Sequence, residues 1–479
     1  MWHRALRANA AYAVGNAVST GALVLLVPYL INRLSPAEYG AWSLYELTIQ
    51  VLNMLMLAGL DVGLMRDYWF APDDGKRAQL AGTVLLGTGL WGGTLLVAGG
   101  GLVLARASPL LPDQPLASLS ALGTAWADSI LAVFLSVYRI RERATVFVAL
   151  SLGRMVFFLT GAIALVNGGY GLLGALTARF GASILTLGGA VALGFRLVDI
   201  HPDWGALRRA VRYGLPLLPT NLAQYILLAS DRYVLKHFST LESVAIYTFA
   251  YKIATSLDIL VTRPFAIDWA PRRFKIATYA DAPARYAQVL LVYWWIAIAF
   301  AVLILAVTPA LYAWLAPPIY RMGIGTVPVI LLAYLVYGLS YPLNVGIMLK
   351  DRTHYLPAIG LLAAGVCLGL NWWWIPRFGV LGAAWATVVA YAVWSAGIGW
   401  ASQRLYPVSY PWRLLALAMA GGLAGYIGLR LLDDLVTWDR GAPAIVLKIS
   451  WALLTAFGSG LIIYRHVRRG EAARLVSAP

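Results

Sequence analysis

Read with a window of roughly nineteen residues, the chain resolves into fourteen apolar runs separated by short polar intervals. They lie at about 10–32, 41–65, 79–105, 116–138, 144–166, 171–195, 213–236, 243–262, 287–314, 325–349, 354–375, 379–402, 412–432 and 442–464. Each is close to the twenty residues an α-helix needs to cross the hydrocarbon core of a bilayer. A soluble core of this size does not bury one such run after another, so the pattern predicts an all-α, polytopic integral membrane protein with about fourteen transmembrane helices. The longest polar interval, RPFAIDWAPRRFKIATYADAPARY at 263–286, is too small for a folded domain, and function is expected inside the membrane.

Polar residues within the runs recur at helical spacing. Thr248, Lys252, Thr255, Asp258 and Thr262 lie near one face of their helix, as do Asn221, Gln224 and Asp231 on the helix before it. Ser43, Glu46, Gln50 and Asn53 form a third stripe, and Asn9, Asn16 and Thr20 mark the first helix. Ser, Thr, Asn and Gln in membrane helices also serve as interhelical hydrogen-bonding groups, so for the uncharged members both uses stay open: lining a cavity where two lobes meet, or joining helices.

Composition sharpens this picture. Of 479 residues 61% are hydrophobic and 12% charged, with a mean hydropathy of +0.73, against about a quarter charged in soluble domains. The net charge is +16, and its placement reads as topology. With the N-terminus inside, the inner segments hold 25 of the 37 Lys and Arg and the outer segments 8, as the excess of positive charge in cytoplasmic loops requires. Both termini are therefore expected in the cytoplasm, and binding of nucleic acid is not needed to explain the charge. MWHRALRANA reads as the start of a retained first helix, since the apolar run after it is too long for a signal-peptide core. The lone Cys367 excludes a disulfide framework, and the five scattered His form no metal motif. No cofactor or metal is expected.

An internal repeat sets the architecture. LSPAEYGAWSL (34–44) is similar to FSTLESVAIYTF (238–249), through Ser35/Ser239, Glu38/Glu242 and Ala41/Ala245; GYGLLGA (169–175) is similar to RFGVLGA (377–383). The two motifs are 136 residues apart in one copy and 140 in the other. Six spans per copy is an even number, so the copies run parallel across the membrane. The expected organisation is a six-helix lobe over 1–200, a second over 201–405, and two further helices with a cytoplasmic tail over 406–479.

VPYLINRLSPAEYGAWSL, LAGLDVGLMRDY, RYGLPLLPTNLAQYILLASDRYVLKHFSTLESVAIYTFAYKIA and IPRFGVLGAAWATVVAYA together resemble the polysaccharide flippases of the multidrug/oligosaccharidyl-lipid/polysaccharide exporter superfamily, near the O-antigen and lipid-linked repeat-unit flippases. The resemblance spans nearly all of the first twelve helices. It implies a V-shaped pair of bundles in the bacterial inner membrane. Such a protein moves an undecaprenyl-diphosphate-linked oligosaccharide repeat unit from the inner to the outer leaflet by alternating access coupled to an ion gradient. Implied partners are that lipid-linked substrate, membrane lipids, and a polysaccharide polymerase with other assembly proteins. A peptidoglycan lipid-precursor flippase or a drug or metabolite exporter of the same superfamily are the alternatives. An enzyme such as a glycosyltransferase is disfavoured, because no D-x-D motif or sizeable outer loop exists.

Charges within the spans mark the candidate site, because each costs at least about 2.5–3.5 kcal/mol at the bilayer centre. Asp128, Arg154 and Lys252 fall near mid-membrane and Arg179 somewhat outward. Lys252, Arg154 and Arg179 are expected to bind the diphosphate, since Arg offers a planar fork to phosphate oxygens and Lys a compact point charge. They outnumber Asp128, so a net positive lumen is expected, with a structural Arg154–Asp128 pair as the alternative. Asp128, Asp258, Asp231, Arg232 and Glu46 are candidates for coupling or gating; Asn53, Gln50, Asn221, Gln224, Thr248 and Thr255 for polar lining. Asp231 and Arg232, in ILLASDRYVLK (226–236), fall near the outer surface. Adjacent residues point about 100° apart on a helix, so direct neutralisation is not expected. An outer gate and an interfacial, snorkelling Arg both stay open.

Overall fold

A computed structural model describes residues 26–106, 114–435 and 442–477, and among them the chain is helical with no strand. The helices are α1 (described over 26–33), α2 (Pro36–Leu57), α3 (Leu60–Asp67), α4 (Asp74–Leu104), α5 (Pro115–Ile140), α6 (Ala144–Leu165), α7 (Gly171–Gly194), α8 (Trp204–Gly214), α9 (Leu218–Phe238), α10 (Leu241–Leu257), α11 (Arg263–Ile276), α12 (Ala282–Leu315), α13 (Val327–Gly338), α14 (Ser340–Leu343), α15 (Val345–Leu349), α16 (Tyr355–Leu405), α17 (Trp412–Leu435) and α18 (Ala442–Ser477). Each expected span coincides with a helix or a run of helices. The exception is the one at 10–32, which lies mostly outside the described residues, as do Asn9, Asn16 and Thr20. The chain is a multi-pass membrane protein. Among the described residues nine helical segments are long and apolar enough to cross a membrane, or ten if the bent pair α2 and α3 counts as one.

Two of those segments are hairpins. A straight α16 of 51 residues would be roughly 75 Å long, more than twice the bilayer core. Gly379 breaks it with φ 54 and ψ −130, the mirror image of extended backbone that only glycine adopts without strain. The chain then doubles back: a Cβ on Gly360 would lie 3.0 Å from Trp394, and one on Gly397 2.8 Å from Ile359. Between α6 and α7, Gly171 takes φ 50 and ψ −131, so the matching glycines of the two repeat copies share one unusual backbone conformation. Four residues into each motif's returning helix, Gly174 and Gly382 pass close to Leu165 and Trp374 on the outgoing helix. Sequence similarity and backbone geometry thus identify the same repeat.

The structure departs from the sequence reading at four places. The interval 263–286, expected as a loop, is largely α11, which continues α10 through a π-turn at Asp258–Thr262. The span at 41–65 bends by 46° between α2 and α3, where Ala58 and Gly59 both have positive φ. The span at 325–349 is divided into α13, α14 and α15. Finally, α8 is a short amphipathic helix where a loop was expected, with Ala206, Ala210 and Gly214 buried at i, i+4 and i+8 and Arg208, Arg209 and Arg212 exposed. A nineteen-residue hydropathy window cannot register an eleven-residue helix of this kind.

By its contacts the chain forms two compact units, Met1–Tyr225 with Thr240–Ala245, and Ile226–Ser239 with Ile246–Pro479. In the first, α5 lies against α2, α4 and α7, and Tyr138, fully buried, donates to Ala190 O at 2.7 Å. Polar contacts sort its connections to two ends. At one, Glu38 Oε1 meets the Leu172 amide at 3.4 Å and Tyr29 donates to Asn167 Oδ1 at 3.0 Å. At the other, Arg141 bonds Tyr68 and the Asp199 amide donates to Ala78 O at 2.9 Å. In the second unit, α12 packs on α17 and α18, with Trp294 donating to Leu415 O at 3.0 Å and Trp295 to Ala456 O at 3.1 Å.

Candidate functional site

In the first unit the intramembrane charges gather into one network. Asp128 on α5 accepts from Arg154 Nη1 of α6 at 3.2 Å and from Arg179 Nη2 of α7 at 2.9 Å, one arginine on each oxygen. Arg179 also donates to Ser183 Oγ at 3.1 Å, and its Nε lies 3.7 Å from Glu46 Oε1 of α2. Its guanidinium sits 5.6 Å from the Phe158 ring centre. Four helices thus bring two cations to two acids, and the Arg154–Asp128 pair weighed as the structural alternative is formed, with Arg179 and Glu46 completing the network. The sequence count missed Glu46 as a partner because it belongs to a helix over a hundred residues away. Exposure separates the two arginines: the Arg154 side chain is 34% accessible and that of Arg179 15%. Among the described residues Arg154 has one acid partner and an open face, whereas Arg179 is held from three sides.

In the second unit Asp231 and Arg232 are both buried, at 2% and 5%, which overturns the snorkelling alternative. They also neutralise each other directly. Arg232 Nη1 donates to Asp231 Oδ1 at 3.0 Å and to Leu228 O at 2.7 Å, while the Arg232 backbone N–H donates to the same Oδ1 at 2.8 Å. The side chain runs back toward the preceding turn, as long side chains on helices do, and this closes the angular gap that the 100° step opens. Tyr247 donates to Asp231 Oδ2 at 2.7 Å. The guanidinium lies 3.9 Å from the Tyr251 ring centre and 5.3 Å from that of Tyr247, within cation–π range. Beyond it Tyr251 meets Tyr334, and Tyr334 meets Tyr391. Sequence reasoning missed this tyrosine sleeve, since 26 tyrosines in a membrane protein read first as interfacial residues.

The stripe on α10 is not uniform. Thr248, expected to line a cavity, is buried. Thr255 shares a hydrogen bond with Tyr334 at 2.9 Å, and Thr262 with Tyr293 at 3.1 Å. Asp258, also buried, accepts from the exposed Arg263 at 2.7 Å. The π-turn at Asp258–Thr262 adds a residue to the helical period, so spacing carried along an ideal helix misplaces everything after it. Lys252 is exposed, as are Gln50 on α2 and Asn221 and Gln224 on α9; Asn53 is half-buried. Exposed polar side chains on membrane-crossing helices mark surfaces that face water or a ligand, because lipid would not solvate them. Among the described residues no three His, Cys, Asp or Glu side chains gather to hold a metal.

The model of a family described as "Polysaccharide biosynthesis protein" matches residues 6–277. No curated protein matches the chain in sequence. Among solved structures, "Lipid II flippase MurJ, inward closed conformation" is similar with a TM-score of 0.74 at 12% identity, over 95% of this chain and 99% of that one. An inward-facing multidrug resistance MATE family transporter of the MOP superfamily matches with a TM-score of 0.58 at 17% identity, over 80% and 98%. The Vibrio cholerae MATE transporter VcmN in its bent form gives 0.53 at 16%, over 84% and 96%.

Proposed function

Because the chain belongs to the polysaccharide biosynthesis protein family, we propose that it is a flippase for undecaprenyl-diphosphate-linked oligosaccharide repeat units. It would move them from the inner to the outer leaflet of the bacterial cytoplasmic membrane by ion-coupled alternating access. The fold it shares with a lipid II flippase and with MATE transporters supports a carrier rather than an enzyme. In this reading 1–200 and 201–405 are the alternating lobes, 406–479 adds two helices and a tail, and both termini lie in the cytoplasm.

The observation that carries the proposal is the half-open guanidinium of Arg154, on a helix apolar enough to cross a membrane and held by Asp128 alone among the described acids. A diphosphate competes with that carboxylate for the planar donor fork, so binding exchanges one ion pair for another and leaves no charge bare. Arg179 is the fixed member, its three contacts holding Asp128 and Glu46 in place. Exposed Lys252, with Asn221, Gln224, Gln50 and Asn53, is assigned to the headgroup and sugar. Asp128, Glu46 and Asp258 are assigned to coupling and gating, and the sealed Asp231–Arg232 pair to holding its helix rigid.

The test is surface polysaccharide and accumulated lipid-linked precursor in strains carrying Arg154→Lys, Arg154→Gln, Arg179→Lys and Arg179→Gln at matched protein level. Arg154→Lys retains partial export and Arg154→Gln loses most of it; equal export from these two removes charge as what Arg154 supplies. Rescue of a strain depleted of its peptidoglycan-precursor flippase would instead assign the peptidoglycan precursor as substrate.

A further inference from the structure

At the end of the first unit where α3 ends and α4 begins lies a cavity of about 420 Å³ that the network above does not use. Arg66, Lys76 and Arg209 line it with Gln79, and Leu80 and Phe70 give it an apolar side. Two acids are also present and both are engaged: Asp67 lies 3.7 Å from Arg66 Nε, and Asp203 accepts from the Gly205 and Ala206 amides as the N-cap of α8. Two of the cations are positioned by neighbours. Arg66 rests 4.5 Å from the Tyr213 ring centre, and Lys76 donates to Gln79 Oε1 at 2.9 Å. Phe70 of the lining and, next to or near lining residues in the chain, Trp69, Ile200 and Trp204 are exposed, the aromatic and aliphatic side chains expected where a protein meets the headgroup layer.

We propose that this cavity binds the phosphate of an anionic membrane lipid, with α8 as its lid on the aqueous side. The volume lies within the range of small-molecule sites. Two arginine forks and a lysine converging from three segments suit a phosphate that arrives with its acyl or prenyl chain still in the bilayer. The same end carries Arg77, Arg139, Arg141, Arg143 and Arg196, the inner segments of the charge pattern, so the lipid comes from the cytoplasmic leaflet. Two lipids share this chemistry there, a bulk anionic phospholipid and a polyprenyl diphosphate.

Native mass spectrometry of the full chain in mild detergent, with phosphatidylglycerol, phosphatidylcholine or undecaprenyl diphosphate added, separates them without any reading of export. The wild type retains phosphatidylglycerol in preference to phosphatidylcholine. At low ionic strength the Arg66→Gln/Lys76→Gln/Arg209→Gln variant binds it on the order of 100-fold more weakly, from about fivefold per basic side chain facing anionic lipid. Arg208→Gln, the same charge change on the neighbouring residue of α8 that does not line the cavity, leaves retention unchanged. The charge-keeping Arg66→Lys/Arg209→Lys variant retains most of it, which separates lost binding from lost folding. Displacement of phosphatidylglycerol by undecaprenyl diphosphate in the wild type alone identifies the carrier lipid as occupant; without displacement the occupant is the phospholipid. Equal retention of both lipids by wild type and triple variant overturns the proposal.

Discussion

The matched glycines Gly171 and Gly379 have nearly the same backbone angles but different surroundings, and that difference predicts unequal costs for one substitution. Alanine at either position meets a conformation that L residues avoid, at about 1–3 kcal/mol. At Gly379 nothing lies within 4 Å of an added Cβ, so strain is the whole penalty. At Gly171 the Cβ would sit 2.5 Å from Glu38 Oε1. That carboxylate cannot simply swing away: its other oxygen accepts from Ser35 N at 2.9 Å and Ser35 Oγ at 2.8 Å, and Oε1 accepts from the Leu172 amide at 3.4 Å at the start of α7. Displacing it adds the loss of a helix-capping interaction, about 0.5–2 kcal/mol. Equilibrium unfolding of the purified variants in mixed micelles should therefore rank Gly171→Ala below Gly379→Ala. Combining Glu38→Ala with Gly171→Ala should cost less than the two singles together, because the clash is removed along with the cap. Equal destabilisation by the two alanines, with Glu38→Ala strictly additive to Gly171→Ala, would refute the account.

Asp128→Asn should destabilise by about 3–5 kcal/mol, since it leaves the buried Arg179 facing only Glu46 and Ser183 and frees Arg154; adding Arg179→Gln should recover melting temperature while export stays lost. Arg179→Lys should impair export nearly as much as Arg179→Gln, because one ammonium cannot reach Asp128, Glu46 and Ser183 in the directions the guanidinium does; full export by Arg179→Lys contradicts the three-sided hold. Tyr247→Phe should cost about 1–3 kcal/mol through the buried Asp231 oxygen it leaves without that donor, seen as a lower melting temperature; an unchanged one would mean the bond contributes nothing net. Reporters inserted beside Arg141 and Arg321 should read opposite sides of the membrane, Arg141 facing the cytoplasm, and a shared side breaks the topology.

The spans were legible because hydropathy over twenty residues is a strong signal that packing does not override. The repeat was legible because its glycines are fixed by backbone angles, which no other residue supplies cheaply. What escaped was set by tertiary contact or by a change of helical period. Nothing in the sequence near Arg179 announces Glu46, and the pairing of Asp231 with Arg232 depends on a side chain curling back against its own helix. The stripe on α10 is divided by packing that spacing does not report, with Thr248 buried and Lys252 exposed, and the π-turn at Asp258 then shifts the phase. Helix α8 was hidden because its buried face is made of Ala and Gly, which hydropathy barely registers, between arginines that read as a loop.

The two buried charge groups differ in a way that bears on which of them can change during transport. Asp231 and Arg232 are closed on all sides: each is at most 5% exposed, the carboxylate takes three donors, and the cation is capped by a tyrosine ring. Opening that group would leave two charges in low dielectric with no substitute partners, a cost of several kcal/mol per ion. The Asp128 network is more open, most of all at the 34% accessible Arg154, where an incoming anion or water can replace the carboxylate as it leaves. A switch needs two arrangements within a few kcal/mol of each other, and only the group with an outside partner at hand meets that condition. The first unit's network is therefore the element expected to rearrange with substrate, and the sealed pair on α9 the one expected to hold its helix rigid while that happens.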